Sequence, residues 1–463
     1  MIRKLLIANR GEIVTRVMRT CRSRGIKTVA VYSEADRDIS YLKGVDEAYC
    51  IGPANPIKSY LNIEAIIDVA KKSGVDAIHP GYGFLSENSQ FAEAVTSGGI
   101  IWVGPPPPVL KAVDSKCTCR QIASGVHVPV VPGTIQTVES AREIRETASE
   151  LGYPIILKLD KGGGGKGIEV VHQEAQVEEA LERLSRIGLM AFGHPECYVE
   201  TEVLRPRHIE VQFLADGHGN CVCLGERECS IQRRYQKIIE ESPSPVVSEE
   251  ERERLFDYTA RLVGAMGYQG AGTMEFLRSP QGNLYFMEVN ARLQVEHPVT
   301  ECLTGVDIVD EQLRIAGGEA TELRQENIRR QGHAIEARVY AEDPITFMPS
   351  PGTIGGLRLP QTDARHVRVD HAIERGAKIP PFYDPLVAKV IAWDVDRPQA
   401  IDRLIAALSQ FCVEGIKTTI PTNIAILMSD RYAAGDVHTG FIQELFSDRS
   451  VLDDLCKPLW PCM

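Results

Sequence analysis

The chain has 463 residues, a formal net charge of −12, and 43% apolar and 25% charged side chains. That length supports about two to four domains with substantial cores, and the composition is that of an ordinary globular protein. The acidic balance argues against a general nucleic-acid partner, no apolar run approaches the ~18 residues of a membrane span, and the N-terminus meets charge too early for a secretory signal, so a cytoplasmic protein is expected.

The first elements alternate. Residues 4–8 read as a strand, 12–24 as a helix and 27–32 as a strand, followed by helices at 63–72 and 90–97 and strands at 77–79 and 100–103. Such alternation predicts an open parallel sheet wrapped by helices. The first strand leads into Asn9-Arg10-Gly11-Glu12 and not into G-x-G-x-x-G, so a nicotinamide-binding domain is not expected. The loop from His79 to Phe84, HPGYGF, follows a strand at the edge where open α/β sheets bind ligands. Gly104 and the prolines 105–108 break the pattern and mark an expected boundary.

Residues 153–159 read as a buried strand carrying Lys158, then Asp160-Lys161 and a run of glycines containing Gly164 and Gly165, then a strand at 168–171. Consecutive glycines let backbone N–H groups approach phosphate oxygens. Lys166 precedes Gly and a strand follows, so this is no Walker A loop; it reads as a hairpin tip that closes over a nucleotide. The stretch 198–203 leaves this lid. On the strand 208–213, His208, Glu210 and Gln212 alternate with apolar residues. The segment 227–237, RECSIQRRYQK, gathers basic side chains in an acidic protein and is a candidate anion site, with Gln232 and Lys237 available for specific contacts. The cysteine pairs Cys117/Cys119 and Cys221/Cys223 are C-x-C, with no C-x-x-C anywhere, which favours reduced structural thiols over zinc or disulfides.

The most informative stretch is 272–301. Two apolar runs, 273–277 and 284–289, flank the turn formers Ser279-Pro280-Gln281-Gly282-Asn283. A hairpin turning about Gln281-Gly282 places Glu275 opposite Glu288 on one face, and the period of two brings Asn290 and Arg292 to that face. Two carboxylates and a carboxamide make a hard-oxygen site suited to Mg²⁺ or Mn²⁺ bridging phosphates. The plain alternative is a surface hairpin with solvated charges, but Glu288 and Asn290 stand in an apolar strand. Beyond it, 306–315 reads as a helix, 334–340 as a strand with Glu336 and Arg338 on one face, 378–393 carries Tyr383-Asp384-Pro385 and Lys389, and 398–411 is an amphipathic helix. Residues 440–463 carry no readable chemistry.

Taken together, KLLIANRGEI, HPGYGFLSEN, GGGGKG, RECSIQRRYQK, EVNARLQVEHPVTE, RVYAEDP and FYDPLVAKV closely resemble the biotin carboxylase family, in the family's order and over nearly the whole chain. The resemblance implies an α/β and α+β protein: an ATP-grasp fold with an N-terminal Rossmann-like (pre-ATP-grasp) domain at 1–119, an ATP-grasp domain at 120–317 whose lid spans about 131–203, a C-terminal domain at 318–446 and a tail at 447–463. It implies that Lys116 and Lys158 contact ATP phosphates beneath Gly164 and Gly165. Glu200, Thr201, Glu202 and Val203 would line the adenine, with His208, Gln232 and Tyr235 completing the nucleotide site. Glu275, Glu288 and Asn290 would hold two Mg²⁺ or Mn²⁺ ions; Lys237, Arg292 and the Val295 backbone would hold bicarbonate, with Glu296 as base. Tyr82, Gly83 and Arg338 would meet biotin, Arg338 serving the enolate alone.

Three departures stand out: Tyr235 where the family more often has His, Asp160-Lys161 before the glycine loop, and Thr201-Glu202 at the adenine hinge. With no Met-Lys pair to accept biotin, the carrier protein and carboxyltransferase are expected on separate chains, and a homodimer is expected. Two other readings share parts of the pattern: an ATP-grasp ligase for another carboxylate and amine, and a catalytically silent scaffold. HPGYGF and RVYAEDP speak against the first, and intact Arg292, Glu296 and Arg338 against the second.

Overall fold

The computed structural model describes residues 2–162, 167–363 and 365–447. Strands β1 (Lys4–Ile7), β2 (Lys27–Tyr32), β3 (Glu47–Cys50), β4 (Ala77–His79) and β5 (Ile101–Trp102) form a parallel sheet in the order β3-β2-β1-β4-β5. The order reverses between β1 and β4, which opens a crevice beyond their C-terminal ends. There the Asn9 side-chain amide donates to the carbonyls of Pro80 (2.6 Å) and Tyr82 (2.8 Å), tying the two loops together. Gly81, at φ +66°, has the Asn9 amide 2.7 Å from where a Cβ would stand, so only glycine fits. Two elements escape the sequence pattern. Strand β3 is four residues long and alternately exposed, and the prolines after Gly104 open the helix Pro107–Val113 instead of only ending a domain. Proline is well suited to that first turn, where its missing N–H would have no partner in any case.

Strands β6 (Ile155–Leu159), β7 (Ile168–Val171) and β8 (Cys197–Thr201) form a small antiparallel sheet in the order β7-β6-β8. The helices Ala141–Leu151 and Val177–Phe192 cover it through a core that includes Ile144, Leu157, Leu184 and Val199. The glycine-rich connection joins β6 to β7, as a hairpin tip requires; Gly164 and Gly165 themselves lie outside the described residues, as does the tail beyond Ser447.

The rest is organised by one antiparallel sheet of β9 (Arg207–Ala215), β10 (Cys221–Arg233), β11 (Gln236–Ser242), β12 (Gly270–Arg278), β13 (Leu284–Asn290) and β14 (His333–Tyr340), followed by β17 (Val367–His371) and β19 (Leu386–Asp394). Its order is β13-β12-β9-β10-β11-β14-β19-β17. Short ribbons pair β15 (Gly352–Thr353) with β18 (Lys378–Ile379) and β16 (Gly356–Arg358) with β20 (Cys412–Glu414). The large sheet runs unbroken across residue 318: Ile239 to Ser242 of β11 pair with Ala337 to Ala334 of β14. Along β9, Ile209, Val211 and Phe213 enter an apolar core with Leu255 and Leu262, while His208, Glu210 and Gln212 alternate with them on the other face. No two of the ten cysteines among the described residues form a disulfide with each other. Among those residues no helix is long and apolar enough to cross a membrane.

Candidate active site

The polar face of the large sheet carries the site. Glu275 on β12 pairs with Glu288 on β13 and with Glu210 on β9, and Glu210 pairs with Arg227 on β10, so a charged row crosses four strands. The hairpin register is reached through two departures that cancel. The turn centres on Gln281, pairing Arg278 with Leu284, and one extra residue on β13, Met287, then bulges out and restores Glu275 opposite Glu288. Thr273 faces Asn290.

Lys237, on β11, places its ammonium among three carboxylates: Glu210 at 2.6 Å, Glu275 at 3.0 Å and Glu296 at 2.7 Å. Burial alone would lower its pKa, but the three anions hold it well above the usual lysine value. The carboxylates respond in turn. Burial works against ionisation of Glu210, yet Arg227 and Lys237 bring it down to about 2. Glu275 is depressed further, Lys237 and His208 outweighing burial. The His208 ring lies 2.9 Å from Glu275, and Gln232 packs 2.6 Å from its other nitrogen. Glu288 goes the opposite way: burial and then repulsion from Glu275 raise its carboxyl above the ordinary range. Asn290 donates to Glu275 at 2.6 Å. These oxygens fit a divalent cation, which would relieve the repulsion between the paired carboxylates. His208, Glu210 and Glu275 also bring ligand atoms within 4.8 Å of one another.

Past β13, Arg292 donates to Asn290 (2.8 Å), to the Gln294 side chain (3.0 Å) and to Glu87 (2.9 Å). Glu87 also accepts from the Ala291 N–H at 2.8 Å and so anchors the start of the loop. Glu296 is fully buried, and its two oxygens are held separately, one by Lys237 and the other by Arg338 at 2.8 Å. Although burial opposes ionisation, Lys237 and Arg338 keep Glu296 below the usual carboxylate range. Arg338, reaching in from β14, also donates to Glu240 at 2.6 Å. Glu240 is pushed up to about 7 by burial, with Arg338 opposing. Arg338 therefore touches the candidate base directly, a contact beyond the enolate role expected of it.

On the nucleotide side, the Glu200 carboxylate is gripped by Lys158 and Arg120, each at 2.5 Å, and is 3% exposed. Only its backbone is available to line an adenine. Thr201 to Val203 leave β8 beside it, the Thr201 N–H donating to Pro132. Lys116 donates to the Gly162 carbonyl at the foot of the lid loop. The basic segment 227–237 does not form one anion patch. Arg227 is buried against Glu210, Arg233 pairs with Glu342, and Arg234-Tyr235 make the positive-φ turn of a hairpin with Tyr235 55% exposed. On the crevice side Tyr82 donates to Glu12, and Gly83 follows at φ +66°.

Glu87, Arg120 and Glu240 were not marked as site residues by the sequence. Glu87 sits inside the HPGYGFLSEN motif, which is the signal that could have found it.

Comparison with known proteins settles the family. Models of the biotin carboxylase N-terminal domain, the carbamoyl-phosphate synthase L chain ATP binding domain and the biotin carboxylase C-terminal domain match residues 1–110, 115–324 and 336–444. The chain belongs to the biotin carboxylase family. It is 48% identical over 444 residues to Biotin carboxylase 2 of Bacillus subtilis, covering 96% of this chain and 100% of that one. The biotin carboxylase of Haemophilus influenzae is 46% identical over 445 residues, 96% of this chain and 99% of that one. Among solved structures, the biotin carboxylase domain dimer of Hydrogenobacter thermophilus 2-oxoglutarate carboxylase, in complex with MgADP, ADP and bicarbonate, matches with a TM-score of 0.94 and 43% identity, covering 98% of this chain and 99% of that one. As a biotin carboxylase the chain is an ATP-dependent ligase.

Proposed function

We propose that this biotin carboxylase carboxylates biotin held on a separate carrier protein, using bicarbonate and ATP, by the following division of labour. Bicarbonate is a poor electrophile, so its oxygen first attacks the γ-phosphorus of ATP, releasing ADP and giving carboxyphosphate. Lys116 and Lys158 hold the phosphates, and Arg292, Lys237 and the Val295 backbone hold the bicarbonate in line. Glu296 takes the bicarbonate proton, with its oxygens kept ionised and oriented by Lys237 and Arg338. Glu275, Glu288 and Asn290 would hold two Mg²⁺ or Mn²⁺ ions, which neutralise phosphate charge when bound. Carboxyphosphate breaks to CO₂ and phosphate, the phosphate takes the ureido proton of biotin, and the resulting enolate, faced by Arg338 near Tyr82 and Gly83, attacks CO₂ through its nitrogen to give carboxybiotin.

The observation that carries this reading is the sharing of Glu296 between two cations, the half-buried Lys237 of β11 and the buried Arg338 of β14. The proposal extends to partners and organisation. A carrier protein and carboxyltransferase act in trans, the carboxyltransferase chooses the final acceptor, and two copies form a homodimer like the Hydrogenobacter domain. Residues 1–119, 120–317 and 318–446 act as its three domains, in the cytoplasm.

The test is ADP release from the purified chain with Mg·ATP, with and without bicarbonate and free biotin. Release that requires bicarbonate and rises with biotin is expected. Release driven by another carboxylate in place of bicarbonate favours a different ATP-grasp ligase, and ATP binding without turnover favours a scaffold.

A further inference from the structure

One more buried cation lies beside this machinery. Lys389, on β19, is fully buried and pairs across the sheet with Arg338 of β14. Its ammonium donates to the Val295 carbonyl at 2.7 Å and lies 3.0 Å from Glu12 Oε1. Glu12 opens the helix Glu12–Ser23 of the N-terminal part, and the same oxygen accepts the Tyr82 hydroxyl. The Lys389 ammonium also stands 6.0 Å from the centre of the Tyr82 ring.

We infer that Lys389 is a positioning residue: it locks the bicarbonate loop, 292–297, in register with the biotin-side loop at Tyr82. The inference rests on the roles given above to Arg292, Glu296 and Tyr82. The Val295 carbonyl belongs to the peptide unit whose N–H is that of Glu296. Holding that carbonyl fixes the plane from which the Glu296 side chain rises between Lys237 and Arg338. The same helix grips the loop one turn further on. Arg16 donates to His297 at 3.1 Å, and His297 in turn lies 2.8 Å from the Gln294 carbonyl. The loop is thus held at its start by Glu87 and further on at Gln294 and Val295, and the hold at Val295 runs through the ammonium that Glu12 shares with Tyr82.

The variant Lys389→Met keeps the apolar stem and removes the ammonium, but it leaves Glu12 buried without a cation. Glu12→Gln/Lys389→Met removes that charge as well and preserves an acceptor for Tyr82. ADP release with free biotin would be followed with bicarbonate varied at saturating ATP, and then with ATP varied at saturating bicarbonate, alongside thermal unfolding. A loop shifted by about 1 Å can cost roughly 10²-fold. The expected result is therefore a loss of about that size in kcat/KM for bicarbonate in both variants, with the KM for ATP unchanged and the double variant melting near wild type. Wild-type bicarbonate kinetics in the double variant overturn the inference. So does a double variant that fails to fold or that loses ATP and bicarbonate affinity by the same factor, since Lys389 would then be holding the fold and not the loop. A wild-type chain without bicarbonate-dependent ADP release removes the functional reading, and this inference with it.

Discussion

Replacing Arg338 by alanine removes one of the two cations on Glu296, and the structure sets what should follow. Arg338 reaches Glu296 at 2.8 Å and Glu240 at 2.6 Å, both fully buried. A hydrogen bond to a charged group contributes about 1.5–3 kcal/mol. Losing it removes that much stabilisation from the ionised form alone, so the Glu296 pKa rises. Lys237 stays 2.7 Å away, so Glu296 still ionises, only at higher pH. The sign is fixed: the base acts when deprotonated, and a raised pKa moves the acidic limb of the rate profile upward. Biotin carboxylation should meanwhile fall by about 10²–10³-fold through loss of the charge at the enolate. The assay measures bicarbonate-dependent ADP release and carboxybiotin formation in parallel across the acidic to neutral range. An acidic limb that stays where wild type has it, or normal carboxybiotin formation, refutes the reasoning.

Glu288→Gln keeps the shape of the site but removes one of two opposed carboxylates, so productive divalent-cation binding and ATP cleavage should nearly vanish. Unchanged activity at limiting Mg²⁺ would remove Glu288 from the metal set. Lys237→Met leaves Glu210, Glu275 and Glu296 buried without their common cation, and breaking such a cluster costs about 3–5 kcal/mol. Because Glu210 and Glu275 have depressed folded-state pKa values, they stabilise wild type above the unfolded value of about 4.3, and that stability is lost as pH falls through the folded one. The deficit of Lys237→Met in urea unfolding should therefore be largest near neutrality and narrow on acidification. Equal midpoints at neutral pH would show the cluster to be no part of stability.

The hairpin at 272–301 was legible because its signals are local: period-two alternation, a turn cluster and acids within an apolar strand. Even there Glu275 met Glu288 by compensation, since the bulge at Met287 has no signature in a single sequence. What could not be read was what depends on strands distant in the chain. Nothing near Arg338 in the sequence announces Glu296, 42 residues away, as its partner. Lys158 meets Glu200 where β6 pairs with β8, and Arg120 joins them only when that lid sheet docks on the helix Lys116–Gly125. The basic run 227–237 misled for a related reason: a hairpin sends neighbouring side chains to opposite faces, so adjacency in sequence is not adjacency in charge.

The pairing of β11 with β14 has a consequence for anyone who would dissect this enzyme. A fragment ending near residue 318 would expose the backbone of β11 as a raw sheet edge, open to any other extended chain. It would also lose the arginine that steadies Glu296. Such a piece should aggregate when expressed alone, and mixing the two halves should restore solubility and turnover together, because the same strand completes both the sheet and the catalytic face.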